Sequence, residues 1–158
     1  MNAKLLHIFT TAKAGARLEA VDQAELEAGC GLVGDRYHGD AGTFSEKLAG
    51  KPDREVTLIE AEEIDRFNHD TGLSLGYGEL RRNLITSGIR LNGLVDRQFR
   101  VGECLLEGIR LCEPCAYLAR TVAKEVLSGL VHKAGLRARV VSGGMIRPGD
   151  EISAGGGD

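Results

Sequence analysis

Tryptophan is absent from this 158-residue sequence, and tyrosine and phenylalanine together make up only 4% of it. That leaves too few flat faces for a single-strand nucleic-acid platform, where bases stack on aromatic rings. A basic excess is also missing. Twenty lysines and arginines stand against 23 acidic residues, for a net charge of −3, so nothing draws in a nucleic acid or an anionic membrane. No apolar run approaches the roughly 18 residues of a membrane span. The opening MNAKLLHIFTTAKAG has too short an apolar stretch for a secretory signal. The expected compartment is therefore the cytoplasm, where the four cysteines would be reduced thiols and not disulfides. Proline is scarce, at three residues, while glycine is plentiful at 22. Glycines without prolines imply many turns between short elements.

The length suits one domain, expected over residues 1–152 with a flexible tail at 153–158. Apolar residues at 42% and charged residues at 27% are ordinary for a globular core. Residues 4–10 read as a strand, and near alternation over 17–28 as one or two more. Residues 29–40 (GCGLVGDRYHGD) form a glycine-framed loop, and 41–53 a polar, irregular one. REVTLI at 54–59 reads as a buried strand, and 60–70 as an amphipathic helix with acids in its first turn and Gly72 at its end. Residues 82–86 and 91–95 are short apolar pieces. Residues 98–101 and 104–111 form a hairpin, 113–127 a helix, 137–142 a strand, and 145–152 a last short strand around Pro148-Gly149. The expected fold class is α+β, mostly β, built as a small barrel or strongly bent sheet with a few short helices.

The sharpest chemical feature is Cys112-Glu113-Pro114-Cys115, placed where a strand gives way to a helix. Two buried thiols packing as small apolar groups are one reading. A structural zinc is a second, but the extra ligands would be Cys30, His38 and His132, whose spacing matches no standard zinc pattern. A thioredoxin-type dithiol is a third, and it would want the first cysteine at the helix start. The fourth is one working thiol, Cys115, at a helix N-terminus where unpaired backbone N–H groups favour the thiolate. Further candidates are Arg36 and His38 in GDRYH, suited to gripping an anion, and Arg81-Arg82-Asn83, suited to a phosphate or pterin. Successive residues of an extended segment point opposite ways, so one of the two arginines should face outward. His132, with Arg137 and Arg139 nearby, is a weaker group near a helix end. No Ser-His-Asp order, phosphate-cradling glycine loop or paired-carboxylate motif stands out, and nothing marks Lys124 or Lys133 as a desolvated amine.

Five segments, GLVGDRYH, REVTLIEAEEI, RRNLITSGIRLNGL, FRVGECLLEGIRLCEPCAYL and GLRARVVSGGMIRPGDEI, together resemble the MOSC domain in the family's own order from about residue 31 to 152. This family is named for the C-terminal domain of molybdenum cofactor sulfurases. The chain is most similar to its short, stand-alone bacterial members. The resemblance implies a MOSC-type β-barrel and a role with molybdenum cofactor (molybdopterin) or with sulfur carried as persulfide. It implies that Cys115 is the metal ligand or sulfur carrier and so the catalytic group, with His38 donating a hydrogen bond or relaying a proton. Arg36, Arg81, Arg82, Asn83, Cys112 and Arg137 would line the cofactor pocket. Pyridoxal phosphate belongs to the fused desulfurase domain of larger relatives and is not expected here. The implied partners are a desulfurase or a redox protein. The implied activity is either oxidoreductase or sulfurtransferase chemistry, with two-electron reduction or sulfuration of metal–sulfur centres as examples. The alternative is a non-catalytic module that delivers its cargo to a partner enzyme.

Overall fold

A computed structural model describes residues 3–13, 15–36, 38 and 55–154. Strands β1 (Ala3–Thr10), β5 (Val56–Glu60), β6 (Leu84–Ser87), β7 (Gln98–Val101), β8 (Cys104–Leu111), β9 (Leu136–Ser142) and β11 (Glu151–Ala154) form the main sheet. Their order is β11-β7-β8-β9-β5-β6-β1, and β1 pairs back with β11 through Ala3↔Ile152 and Lys4↔Glu151. Seven strands therefore close into a barrel, which removes the exposed edges of an open sheet. Strand β2 (Glu19–Val21) pairs along β1 outside the closed ring. A smaller sheet joins β10 (Gly144–Ile146), β3 (Ala24–Glu27) and β4 (Gly31–Leu32).

All pairings in the ring are antiparallel except β5 with β6. That parallel pair is joined through helix α1 (Ala61–Thr71), since parallel neighbours need a crossover. Both faces of β5 and β6 are covered. Leu58 and Leu84 belong to the barrel interior with Leu5, Phe99, Leu106 and Leu136. Ile59 and Ile85 belong to a second cluster, with Ile64 and Phe67 of α1 and with Leu118, Val126 and Leu130 from the later helices. This double burial explains why Leu58 and Ile59, adjacent in the β-branched run REVTLI, are both fully buried.

Helix α1 stops at Gly72, which takes a left-handed φ of 75° and returns its N–H to Asn68 O. The loop after β6 includes a 3-10 turn, Leu91–Leu94, that sends Leu91 and Leu94 into the barrel core. Gly108 lets that turn approach, because a Cβ there would stand 2.1 Å from Leu94 O.

Three expectations are corrected. The continuous helix over 113–127 is two short ones, α2 (Ala116–Thr121) and α3 (Val126–Gly129). Cys115 is extended, so α2 starts after it, and Val122 ends α2 with its N–H on Leu118 O. The break lets Leu118, Val126 and Leu130 all reach the second cluster. The last strand is two strands, β10 and β11, with Pro148-Gly149 in the turn between them. Strand β11 also reaches beyond residue 152, since Ser153 and Ala154 pair with Arg100 and Phe99. The irregular loop at 41–53 and the remaining tail at 155–158 lie outside the described residues. Among the described residues, no helix is long and apolar enough to cross a membrane.

Candidate functional site

The tripeptide Arg81-Arg82-Asn83 leads into β6, and its three side chains go three ways. Arg81 has a left-handed φ of 65°, uncommon for a residue with a Cβ, and its Nη1 donates to Ala16 O at 2.6 Å. Arg82 is buried and donates to three carbonyls: Ala134 O at 2.8 Å, Cys112 O at 2.9 Å and Leu80 O at 3.2 Å. Asn83 Nδ2 donates to Phe9 O at 3.1 Å, while its Oδ1 accepts from Thr57 N–H and the Thr57 hydroxyl, both at 3.2 Å. The tripeptide is thus a junction between β1, β5, the loop before β2 and the Cys112 segment.

Asp35 extends this network. Its Oδ1 accepts from Arg36 Nη1 at 3.1 Å, from Thr11 N–H at 3.3 Å and from Asn83 Nδ2 at 3.4 Å. Asp35 and Arg36 are both buried, so their pairing replaces hydration that each charge has lost. Arg137 is half-buried on β9, opposite Thr57 on one side and Arg110 on the other. Register therefore sets Arg137 beside the Thr57–Asn83 pair.

The four cysteines separate by environment. Cys104 lies in the barrel core, where burial pushes its thiol up to about 11, and Cys112 is sealed as well. Those two behave as small apolar groups. Cys112 is fixed on both sides, its N–H on Gly135 O at 2.8 Å and its carbonyl on Arg82. Cys115 is half-buried, stands at the N-cap position of α2 and packs against the second cluster near Tyr117. Its carbonyl accepts from Ala119 N–H at 3.0 Å, while its thiol makes no capping hydrogen bond. Cys115 is thus partly exposed, three residues after a backbone carbonyl held by a buried guanidinium.

Arg36 and His38, two residues apart, find different partners. Arg36 turns inward to Asp35. His38 Nε2 lies 2.8 Å from Glu27 Oε1 near the surface. Cys30 also hydrogen-bonds Glu27, and these two contacts, His38 first, hold the Glu27 carboxyl below its ordinary range. His132, with a left-handed φ of 60°, belongs to Glu113: its N–H donates to Oε1 at 2.7 Å and its Nδ1 lies 2.6 Å from Oε2. Sequence reasoning missed Asp35 and Thr57 as organisers of the site, and Glu27 as a neighbour of Cys30 and His38. The one available signal was Asp35 itself, inside a glycine-framed motif already singled out.

A closed seven-stranded barrel, with helices over its β5–β6 face and a partly buried cysteine at the head of one of them, defines a small mostly-β α+β protein. The MOSC domain profile matches residues 45–153, and the chain belongs to that family. The family is associated with molybdenum cofactor. The matched span includes Asn83, Cys112, Cys115 and Arg137 but begins after Arg36 and His38. No curated protein matches the chain. Among solved structures, YuaD from Bacillus subtilis is similar with a TM-score of 0.81 at 18% identity, over 98% of this chain and 96% of that one. YiiM from Geobacillus stearothermophilus gives 0.74 at 14% identity, over 96% and 74%. YiiM from Escherichia coli gives 0.64 at 19% identity, over 96% and 69%. At these identities the likeness establishes the fold.

Proposed function

We propose that this chain is a molybdenum-cofactor-binding or sulfur-carrying domain whose working group is the Cys115 thiol. The observation that carries the reading is the contrast among the cysteines of the matched span. Cys104 and Cys112 are sealed, whereas Cys115 is only partly buried. A soft thiolate is a suitable ligand for molybdenum, and guanidinium groups suit a pterin phosphate, so the donor set fits the cofactor. Cys115 would hold the metal, and Arg81 and Arg137 would balance the anionic groups, while Arg36 is committed to Asp35. Asn83 holds β1, β5 and the Asp35 loop in one arrangement. Arg82, spent on backbone carbonyls, positions the Cys112–Cys115 segment. Bound there, the cofactor would supply two-electron oxidation or reduction at molybdenum.

The same thiol suits sulfur transfer. The Cys115 thiolate attacks the outer sulfur of a desulfurase persulfide, a new S–S bond forms on Cys115, and the donor thiolate leaves. The donor would be a separate partner protein. A redox partner would serve the oxidoreductase form, and delivery of the cargo to another enzyme would need no turnover here.

Metal and mass analysis test the proposal. Protein purified from a molybdenum-replete host is expected to carry about one molybdenum atom per chain through a Cys115 bond, or to gain one sulfur atom in intact mass on exposure to a desulfurase with cysteine. Cys115→Ala is expected to lose both. Molybdenum content equal in the two proteins, with no sulfur adduct on the wild type, would overturn the role of Cys115.

A further inference from the structure

Outside the Cys115 region, Glu27, Cys30 and His38 bring a carboxylate oxygen, a thiol sulfur and imidazole nitrogens together, with the ligand atoms all within 4.8 Å of one another. Among the described residues this is the one group of three or more such side chains that converges. We propose that these three side chains form a binding site for a single divalent transition-metal ion of the zinc class, with one coordination position left open. The site is separate from the function proposed for Cys115 and does not depend on it.

The hairpin builds the site. Glu27 ends β3, and Glu27 pairs with Gly31 of β4. Cys30 lies in the turn between them, where its N–H donates to Glu27 O at 3.0 Å. Gly29 makes that turn with a φ of 76°, and its N–H is tied to Val140 O at 3.2 Å, which anchors the turn to the barrel. The chain then returns past Asp35, whose N–H donates to Leu32 O at 3.1 Å, and brings His38 back over the turn. Two of the three ligands are thus fixed relative to each other by backbone, and the third comes from a loop pinned three residues earlier.

The donor set and its access agree with a metal. One soft thiolate, one borderline imidazole and one hard carboxylate are all donors that zinc accepts, and three protein ligands is the number found where zinc keeps a water or substrate in its fourth position. Zinc–ligand bonds of about 2.0–2.3 Å set tetrahedral ligand atoms roughly 3.3–3.8 Å apart, so side-chain adjustments of an ångström or less would close the cage. The side chains of Glu27 and His38 are 51% and 26% exposed, which leaves an entry path. An exposed Glu–His pair contributes little to stability by itself, so stability does not account for the cluster. On binding, the Cys30 thiol gives its proton to solvent as the sulfur–metal bond forms, and His38 donates a ring lone pair.

The test uses the full chain, stripped with a chelator and titrated with Co²⁺, with Zn²⁺ then displacing it. One equivalent is expected to bind and to produce a thiolate-to-cobalt charge-transfer band that Zn²⁺ abolishes. Cys30→Ser is expected to remove the band, and Glu27→Gln and His38→Ala to weaken binding at least about tenfold. The Cys112→Ser/Cys115→Ser double variant is expected to keep both band and affinity. A band that survives Cys30→Ser, one that disappears with the double variant, or no binding at micromolar ion would overturn the site. If Cys30→Ser does not fold, full affinity in either Glu27→Gln or His38→Ala would also overturn it. Because the two sites use different cysteines, failure here leaves the Cys115 reading standing, and the reverse also holds.

Discussion

Asn83 shows how one amide can tie several distant segments together. It accepts from the N–H and hydroxyl of Thr57 and donates to Phe9 O, while its own N–H donates to Thr57 Oγ1 at 3.0 Å. Asn83→Ala would take away the side-chain partners of the half-buried Thr57 N–H and Phe9 carbonyl. The expected cost is roughly 1–3 kcal/mol, read from the shift of the urea midpoint. Asn83 and Cys115 were legible as candidates through their short motifs, RRN and CEPC. The fate of Arg82 was not. An extended arginine pair says only that the side chains diverge, and whether one meets a ligand or a carbonyl depends on which backbone lies within reach. The same holds for His38, which the sequence grouped with Arg36 and the structure gives to Glu27.

At the scale of elements, the acids at the start of α1 do more than complement its dipole. Glu60 Oε2 accepts from Leu91 N–H at 3.2 Å and Glu62 Oε2 from Gly88 N–H at 2.8 Å, so these carboxylates catch the loop after β6. Burial pushes the Glu60 carboxyl above its ordinary value of 4.5, and the nearby charges of Glu63 and Glu62 push the same way. The folded protein then holds a proton that the unfolded chain releases, so this group's contribution falls as pH rises from 4.5 through the folded value. Glu60→Gln is expected to raise stability near neutrality and to flatten the pH dependence above 4.5, measured as urea midpoints across that range. Glu27 acts in the opposite direction, its lowered value favouring the fold above 4.5 and losing that benefit as the solution becomes more acid. Element boundaries were legible where a local signal existed, as at Gly72. The break between α2 and α3 was not, since it is set by how Leu118, Val126 and Leu130 fit one cluster.

For the whole molecule, closure of the barrel rests on β11, which pairs with β7 on one side and β1 on the other. Ile152 belongs to the barrel interior and pairs with both Val101 and Ala3. Ile152→Ala is expected to cost about 2–4 kcal/mol by urea unfolding. Strand β1 shows a limit of pattern reading. Leu5 and Ile8 both enter the barrel although they are three residues apart, because a bulge between Leu5 and His7 shifts the register. Leu6 and Phe9 consequently pack on the outer cluster. No two-residue alternation in LLHIF announces this.

By itself the sequence determined the fold class, the strand-rich order of elements, the family and the thiol at the head of a late helix. Those features follow from apolar periodicity, turn residues and short motifs, all of which act over a few positions. Tertiary structure decided the closure of the ring, the bulge in β1, and the partners that the polar side chains take. Asn83 meets Phe9 across 74 residues and Arg82 meets Cys112 across 30. A buried polar group takes whichever partner the folded backbone brings within hydrogen-bond range, and that choice is made only when distant segments have packed.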